Sequence, residues 1–303
     1  MTLIDLTQPL DRNLPIYPGD PPFSSQQSCT VDKDGYSIHA LSCSSHAGTH
    51  IDAPSHFVAD GKTIDQLPVS AFILPALVID VSHKKERECI SWETVEPVAD
   101  NIRPGTAVLF HTGWSRYWNR DDDDANAGRC FDHPWLTADV AERLVVLGVR
   151  LIGVDTMNPD QSPMPVGDGD GDGSAPDFGV HKAMLGAGGL IVENLTNLDG
   201  LLAAQQKEPG AEVILSVLPL RIIGCDGSPV RAVAWLQPRV QGRSLFVTCA
   251  FFLTLCNTFT KHFVQRATIV PQTIGGTMLI GEKVQWLPLQ KLSSSGLRVP
   301  YGT

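Results

Sequence analysis

The stretch His46-Ala47-Gly48-Thr49-His50-Ile51-Asp52-Ala53-Pro54-Ser55-His56 constrains this chain more than any other. It holds three of the nine histidines, with an aspartate between the second and third. Histidine and carboxylate side chains bind zinc and similar ions. Gly48 and Pro54 interrupt the stretch, which argues against one continuous helix and so against two histidines four apart sharing a helical face. The fold must instead present it as extended chain. His50 and Asp52, two apart, then lie on one face. Gly48 lets the backbone turn so that His46 swings toward the same point, and Pro54 redirects the chain to bring His56 back over it.

The rest of the chain can supply the core such a site needs. Its 303 residues suffice for one large domain or two small ones, and 43% are hydrophobic against 18% charged. The net charge of −10 disfavours nucleic acid and anionic membrane as partners, because both need basic patches. Much of that excess is local, in Asp121 to Asp124 and in Asp168-Gly169-Asp170-Gly171-Asp172. The seven cysteines are scattered, with no C-x-x-C pair, so they read as reduced thiols in a cytoplasmic protein and not as metal thiolates. The opening Leu3-Ile4-Asp5-Leu6 reads as a strand, and no secretory leader is expected.

Up to about Gln237 the pattern is α/β and strand-rich. Short β-branched or apolar runs at 3–8, 36–43, 76–82, 106–112, 149–155, 189–194, 212–223 and 230–236 predict strands. A helix is expected from Thr137, as a capping residue, to Leu147, with Val140, Leu144 and Leu147 at helical spacing and Gly148 as the stop. Two shorter helices are expected at 180–186 and 197–206. The Pro- and Gly-Asp-rich stretch 158–179 reads as an acidic surface loop, since no glutamate follows at the distance a calcium loop requires. Residues 1–237 are therefore expected to form one domain and 238–303 an appended, weakly structured tail. The uncharged segment 244–260 falls short of the ~20 residues of a membrane helix, so no membrane association is expected.

Extended by Phe57, the histidine stretch resembles the H-x-G-T-H-x-D-x-P-x-H-F signature of the cyclase superfamily, which includes bacterial-type kynurenine formamidases and isatin hydrolases. Four other segments carry the resemblance further. They are Tyr17-Pro18-Gly19-Asp20, Phe110-His111-Thr112-Gly113-Trp114, Gly153-Val154-Asp155-Thr156, and His181 twelve residues before Glu193-Asn194-Leu195. The resemblance covers roughly 1–237. It implies a swivelling β/β/α fold, homodimers or homotetramers, and two Zn²⁺ per subunit, with Mn²⁺ as the alternative. It also implies that His46 and His50 hold the first metal, that Asp52 and Glu193 are shared carboxylates, and that His181 belongs to the second metal. His56 resembles the catalytic acid/base, and Tyr17 stands at a substrate-contacting position where kynurenine formamidases usually carry Trp.

The chemistry can be argued from the side chains alone. An open Zn²⁺ lowers the pKa of bound water from about 15.7 to about 7, and a nearby histidine can protonate a departing nitrogen. The expected function is metal-dependent hydrolysis of an amide bond in a small aromatic molecule, N-formylkynurenine-like or isatin-like, with His56 as proton shuttle. Other readings are His56 as a fourth ligand, a cyclase or lyase reaction at the same site, and a non-catalytic metal-binding homologue. Glu193 ends the apolar run Leu190-Ile191-Val192, where a carboxylate is costly unless paired or metal-bound. Tyr17 and Trp114 could both line an aromatic pocket or simply pack in the core.

Overall fold

Short apolar runs pair into a nine-stranded sheet among the described residues of the computed structural model, which are 2–118, 128–162 and 177–238, all within a unit spanning Met1–Gln241. The strands are β1 (Leu3–Asp5), β2 (His50–Asp52), β3 (Ile73–Asp80), β4 (Ala107–His111), β5 (Leu151–Val154), β6 (Leu190–Glu193), β7 (Glu212–Ser216), β8 (Gly227–Pro229) and β9 (Val233–Gln237). Their order is β1-β9-β7-β3-β4-β5-β6-β2-β8. The central β3-β4-β5-β6 pairs are parallel and the flanking pairs antiparallel.

Parallel strands covered on both faces are apolar without a break, because alternate side chains enter different cores. In β4, Ala107 and Leu109 join one core with Leu151, Val192 and Leu215, while Val108 and Phe110 join the other with Ile152, Val154 and Ile191. Helices α1 (Ala138–Val146) and α2 (Gly179–Gly186) cover the second core with Val140, Leu144 and Met184. Helix α3 (Leu198–Lys207) covers the first with Leu198 and Leu201. Leu109 and Phe110 are fully buried, so truncating either to Ala costs about 2–5 kcal/mol.

The three expected helices form at the expected places, and Gly148 stops α1 at φ +87°. Thr137 sits at the cap position but does not cap. Its hydroxyl makes no bond to the first turn and is a buried oxygen without a partner, while its N–H donates to Ile90. The expected 212–223 strand ends at Ser216. Pro219 has no N–H to continue a ladder, and the apolar Leu218 before it and Leu220, Ile222 and Ile223 beyond it are exposed. An exposed two-stranded ribbon, Ser24–Cys29 with Ile38–Ser42, stands apart from the main sheet. The two acidic runs, the segment 244–260 and the tail from 239 onward lie outside the described residues. No helix among the described residues is long and apolar enough to cross a membrane.

The site lies at the β6-β2-β8 end of the sheet. There β2 is held antiparallel on both sides, with Glu193 of β6 and Pro229 of β8 opposite His50, and Ile191 and Gly227 opposite Asp52.

Candidate metal centre

Strand alternation makes the first part of the site. His50 and Asp52 share a face of β2, and the antiparallel register places Glu193 directly across from His50. Gly48 turns at φ +67°, a left-handed conformation that favours glycine. Thr49 pins the turn, its hydroxyl donating to the Asn194 carbonyl at 2.6 Å, while Asn194 Nδ2 donates to the Gly48 carbonyl. Pro54 opens a short 3-10 turn, Pro54–His56, that returns His56 over the strand. His181 comes from the first turn of α2, whose N–H groups at Val180 and His181 donate to Asp160.

All five expected metal-binding residues and His56 therefore meet. Asp52 Oδ1 lies 2.8 Å from His46 Nδ1 and 3.3 Å from His50 Nε2, while Oδ2 lies 3.6 Å from His181 Nε2. Glu193 divides in the same way, Oε2 being 3.4 Å from His50 Nε2 and Oε1 3.3 Å from His181 Nε2. Each carboxylate thus turns one oxygen to the His46/His50 side and the other to His181. The donor atoms of His50, Asp52 and Glu193 lie within 4.8 Å of one another, as do those of His46, Asp52 and His56.

The charges call for a cation. Burial opposes protonation of His46, yet Asp52 and Asp226 push its pKa up to about 11, and Asp52 and Glu193 push that of buried His50 up to about 9 in the same way. Burial also opposes protonation of His181, but Asp160, Asp52 and Glu193 hold its pKa well above the ordinary value. Burial would raise the Asp52 and Glu193 pKa values, but their histidine neighbours hold Asp52 well down and Glu193 down. Without a metal, ring protons supply the positive charge between these carboxylates. Asp52 Oδ2 is buried with no hydrogen-bond partner, an arrangement that is costly unless an ion takes it up. The donor set is nitrogen and oxygen without thiolate, which suits Zn²⁺ or Mn²⁺. The residues fit a metal on these grounds.

Two further carboxylates, absent from the sequence expectations, hydrogen-bond to the histidines of the site. Asp160 Oδ2 accepts from His181 Nδ1 at 2.7 Å, and Asp226 Oδ2 accepts from His46 Nε2 at 3.0 Å and His56 Nδ1 at 3.1 Å. Neither belongs to the quoted motif segments. Asp160 lies in the 158–179 stretch expected as loop, and Asp226 lies between the strands expected at 212–223 and 230–236. Two motifs turn out to be scaffolding. Asp155 accepts from the N–H groups of Thr112 and Gly113 and from His111, locking the turn after β4.

A cavity of about 460 Å³ opens over the centre. Tyr17, Phe23, Phe57 and Phe178 wall it, with Asp20, Ser44 and Asn158 as polar groups. Phe57 stacks on His181 at 4.6 Å between ring centroids, and burial followed by the charge of Glu193 raises the Tyr17 pKa. Trp114 is not part of this wall. It is buried, donates Nε1–H to the Arg129 carbonyl, and packs on Tyr117.

Fold and site define a mixed α/β protein built around a carboxylate–histidine cluster fit for divalent metal. The chain belongs to the cyclase family, whose Cyclase model matches residues 4–161. It is similar to the kynurenine formamidase of Bacillus cytotoxicus, 34% identical over 233 residues that cover 76% of this chain and 95% of the relative. The kynurenine formamidase of Sphingopyxis alaskensis is 32% identical over 236 residues with the same coverage. Among solved structures, isatin hydrolase A from Labrenzia aggregata, bound to benzyl benzoate, superposes with a TM-score of 0.63 at 28% identity, covering 77% of this chain and 93% of that one.

Proposed function

We propose that this chain is a metal-dependent hydrolase that cleaves the carbon–nitrogen bond of a small aromatic amide, N-formylkynurenine and isatin-like cyclic amides being the two candidates. The observation that carries the reading is the division of Asp52 and Glu193, each offering one oxygen to the His46/His50 side and one to His181. The formamidase and isatin hydrolase relatives support it. His46, His50, Asp52 and Glu193 would hold a first ion and His181, Asp52 and Glu193 a second, Zn²⁺ or Mn²⁺. Such ions, when bound, make water acidic enough to act as hydroxide at neutral pH and polarise a carbonyl.

The chain's own groups do the rest. Tyr17, Phe57 and Phe178 give an aromatic ring flat apolar walls and exclude water. His56 Nδ1–H is held by Asp226, which leaves Nε2 to carry a proton to the departing nitrogen. A specific observation supports a second role for His56 as a ligand, since its donor atom lies within 4.8 Å of those of His46 and Asp52. The exposed ribbon, presenting Tyr36, Ile38 and Leu41, supports a homodimer or homotetramer, which light scattering checks.

The test is a turnover screen of the full chain, stripped and then loaded with Zn²⁺ or Mn²⁺, against N-formylkynurenine, formanilide and isatin. The expected product is heavier than substrate by one water and forms only with metal. Isomerised or eliminated product without added water would point to a cyclase or lyase. Failure of the purified chain to retain divalent metal would sink both enzyme readings.

A further inference from the structure

Four histidine rings crowd this centre, and each has one nitrogen bonded to a group away from the Asp52–Glu193 oxygens. His50 Nδ1–H donates to the Gly48 carbonyl at 2.8 Å and His181 Nδ1–H to Asp160 at 2.7 Å. The remaining two rings share a single acceptor, Asp226 Oδ2, which receives His46 Nε2–H at 3.0 Å and His56 Nδ1–H at 3.1 Å. An ionised carboxylate only accepts, so both ring nitrogens facing it carry protons.

Asp226 is itself anchored. Its carbonyl accepts the Ala53 N–H at 2.8 Å, the preceding Cys225 carbonyl accepts the Ile64 N–H at 2.8 Å, and its Oδ1 accepts the Ser45 hydroxyl at 2.9 Å. The next residue must be small. A Cβ on Gly227 would lie 2.8 Å from the Ile51 carbonyl oxygen and 2.9 Å from His46 Cε1. The His46 and His56 rings lie 4.0 Å apart at 32°, brought side by side over one oxygen.

We propose that Asp226 is the positioning residue that sets the tautomers of both rings, reserving Nδ1 of His46 for the metal and Nε2 of His56 for the substrate. One carboxylate oxygen thereby links a metal ligand to the proton carrier. Outer carboxylates of this kind fix ring orientation and raise ligand basicity. The inference rests on reading His46 as a ligand, and the experiment separates the two.

The test uses the full chain, metal-free and Zn²⁺-loaded, as wild type, Asp226→Ala and Asp226→Asn. Long-range ¹H–¹⁵N spectra of the imidazole rings read the tautomers, and competition with a chelator reads Zn²⁺ affinity. Wild type is expected to show His46 as Nε2–H when loaded and the neutral His56 ring as Nδ1–H. Asp226→Ala is expected to release His56 to the Nε2–H form and to weaken Zn²⁺ binding roughly 10- to 100-fold. Asp226→Asn keeps an oxygen facing both rings and is expected to restore the tautomers but not the full affinity. Should the Ala variant not fold, Asp226→Ser, whose oxygen reaches neither ring, takes its place. Unchanged tautomers in the Ala or Ser variant overturn the proposal, whatever the affinity does. A wild-type chain that binds no Zn²⁺ sinks the metal reading instead, and the metal-free His56 tautomer then decides the role of Asp226 alone.

Discussion

Loading the metal-free chain with Zn²⁺ should expel about two protons at about pH 8, and up to about three with His181. His46 and His50 have pKa values raised to about 11 and about 9, and that of His181 is raised well above the ordinary value. The His46 and His50 rings are therefore mostly protonated in that solution, the His181 ring is shifted in the same direction, and each protonated ring must give up a proton to offer a lone pair. Displacing the His46 proton, about three units above the solution pH, costs about 4 kcal/mol, and the His50 proton about 1 kcal/mol. Overall loading should strengthen with rising pH, by up to roughly a thousandfold per unit while all three rings remain protonated. Calorimetry in buffers of different ionisation enthalpy counts the protons directly. Release of fewer than one proton would refute the reasoning, since the rings would then be neutral beside ionised carboxylates. The same shifts carry a stability sign. Ring pKa values raised on folding stabilise the metal-free chain fully below about pH 6.5, and that stability fades as pH rises through about 9 and then about 11. Metal-loaded protein should lack this alkaline decline.

Three other perturbations are informative. His56→Ala should keep its metal and lose roughly 10²- to 10⁴-fold in turnover, as checked by metal analysis beside steady-state kinetics, and loss of the metal would make His56 a ligand. Buried His133 has a pKa pushed down to about 4 by desolvation, against an ordinary value of 6.5. The unfolded chain therefore takes up its proton first, and stability should fall by up to about 3 kcal/mol between about pH 6.5 and pH 4. Urea titrations should show a flatter slope in His133→Gln, and an identical slope would discard the argument. Gly227→Ala should cost about 1–3 kcal/mol, because the added Cβ meets the Ile51 carbonyl at 2.8 Å and His46 Cε1 at 2.9 Å. It should also weaken metal binding, while a thermal midpoint and Zn²⁺ affinity equal to wild type would contradict that close contact.

Much of this centre is legible in one dimension because its spacing follows backbone geometry. Residues two apart on a strand must share a face, so His50 and Asp52 converge without help from the rest of the fold. A glycine at Gly48 and a proline at Pro54 are backbone instructions, and the chain turns at both. The apolar runs of β3 to β6 and the helix α1 were equally readable, since burial on one or two faces imposes a period. Periodicity misled where it met a missing donor. The 212–223 run stays apolar, but its strand stops before Pro219. His181 and Glu193 could be named only through a family resemblance, because nothing local marks a buried histidine in a short helix as a ligand.

What the sequence determined by itself is therefore the extended histidine segment, the shared face of His50 and Asp52 and the strand-rich α/β class. The tertiary structure decided which atom faces which. Register across β6 and β2 set Glu193 opposite His50, and the pairing of β8 with β2 carried Asp226 to within 3.1 Å of two rings some 170 and 180 residues earlier in the chain. Contacts between residues that far apart depend on strand order and register, and these are chosen by the packing of the whole core, not by any local pattern.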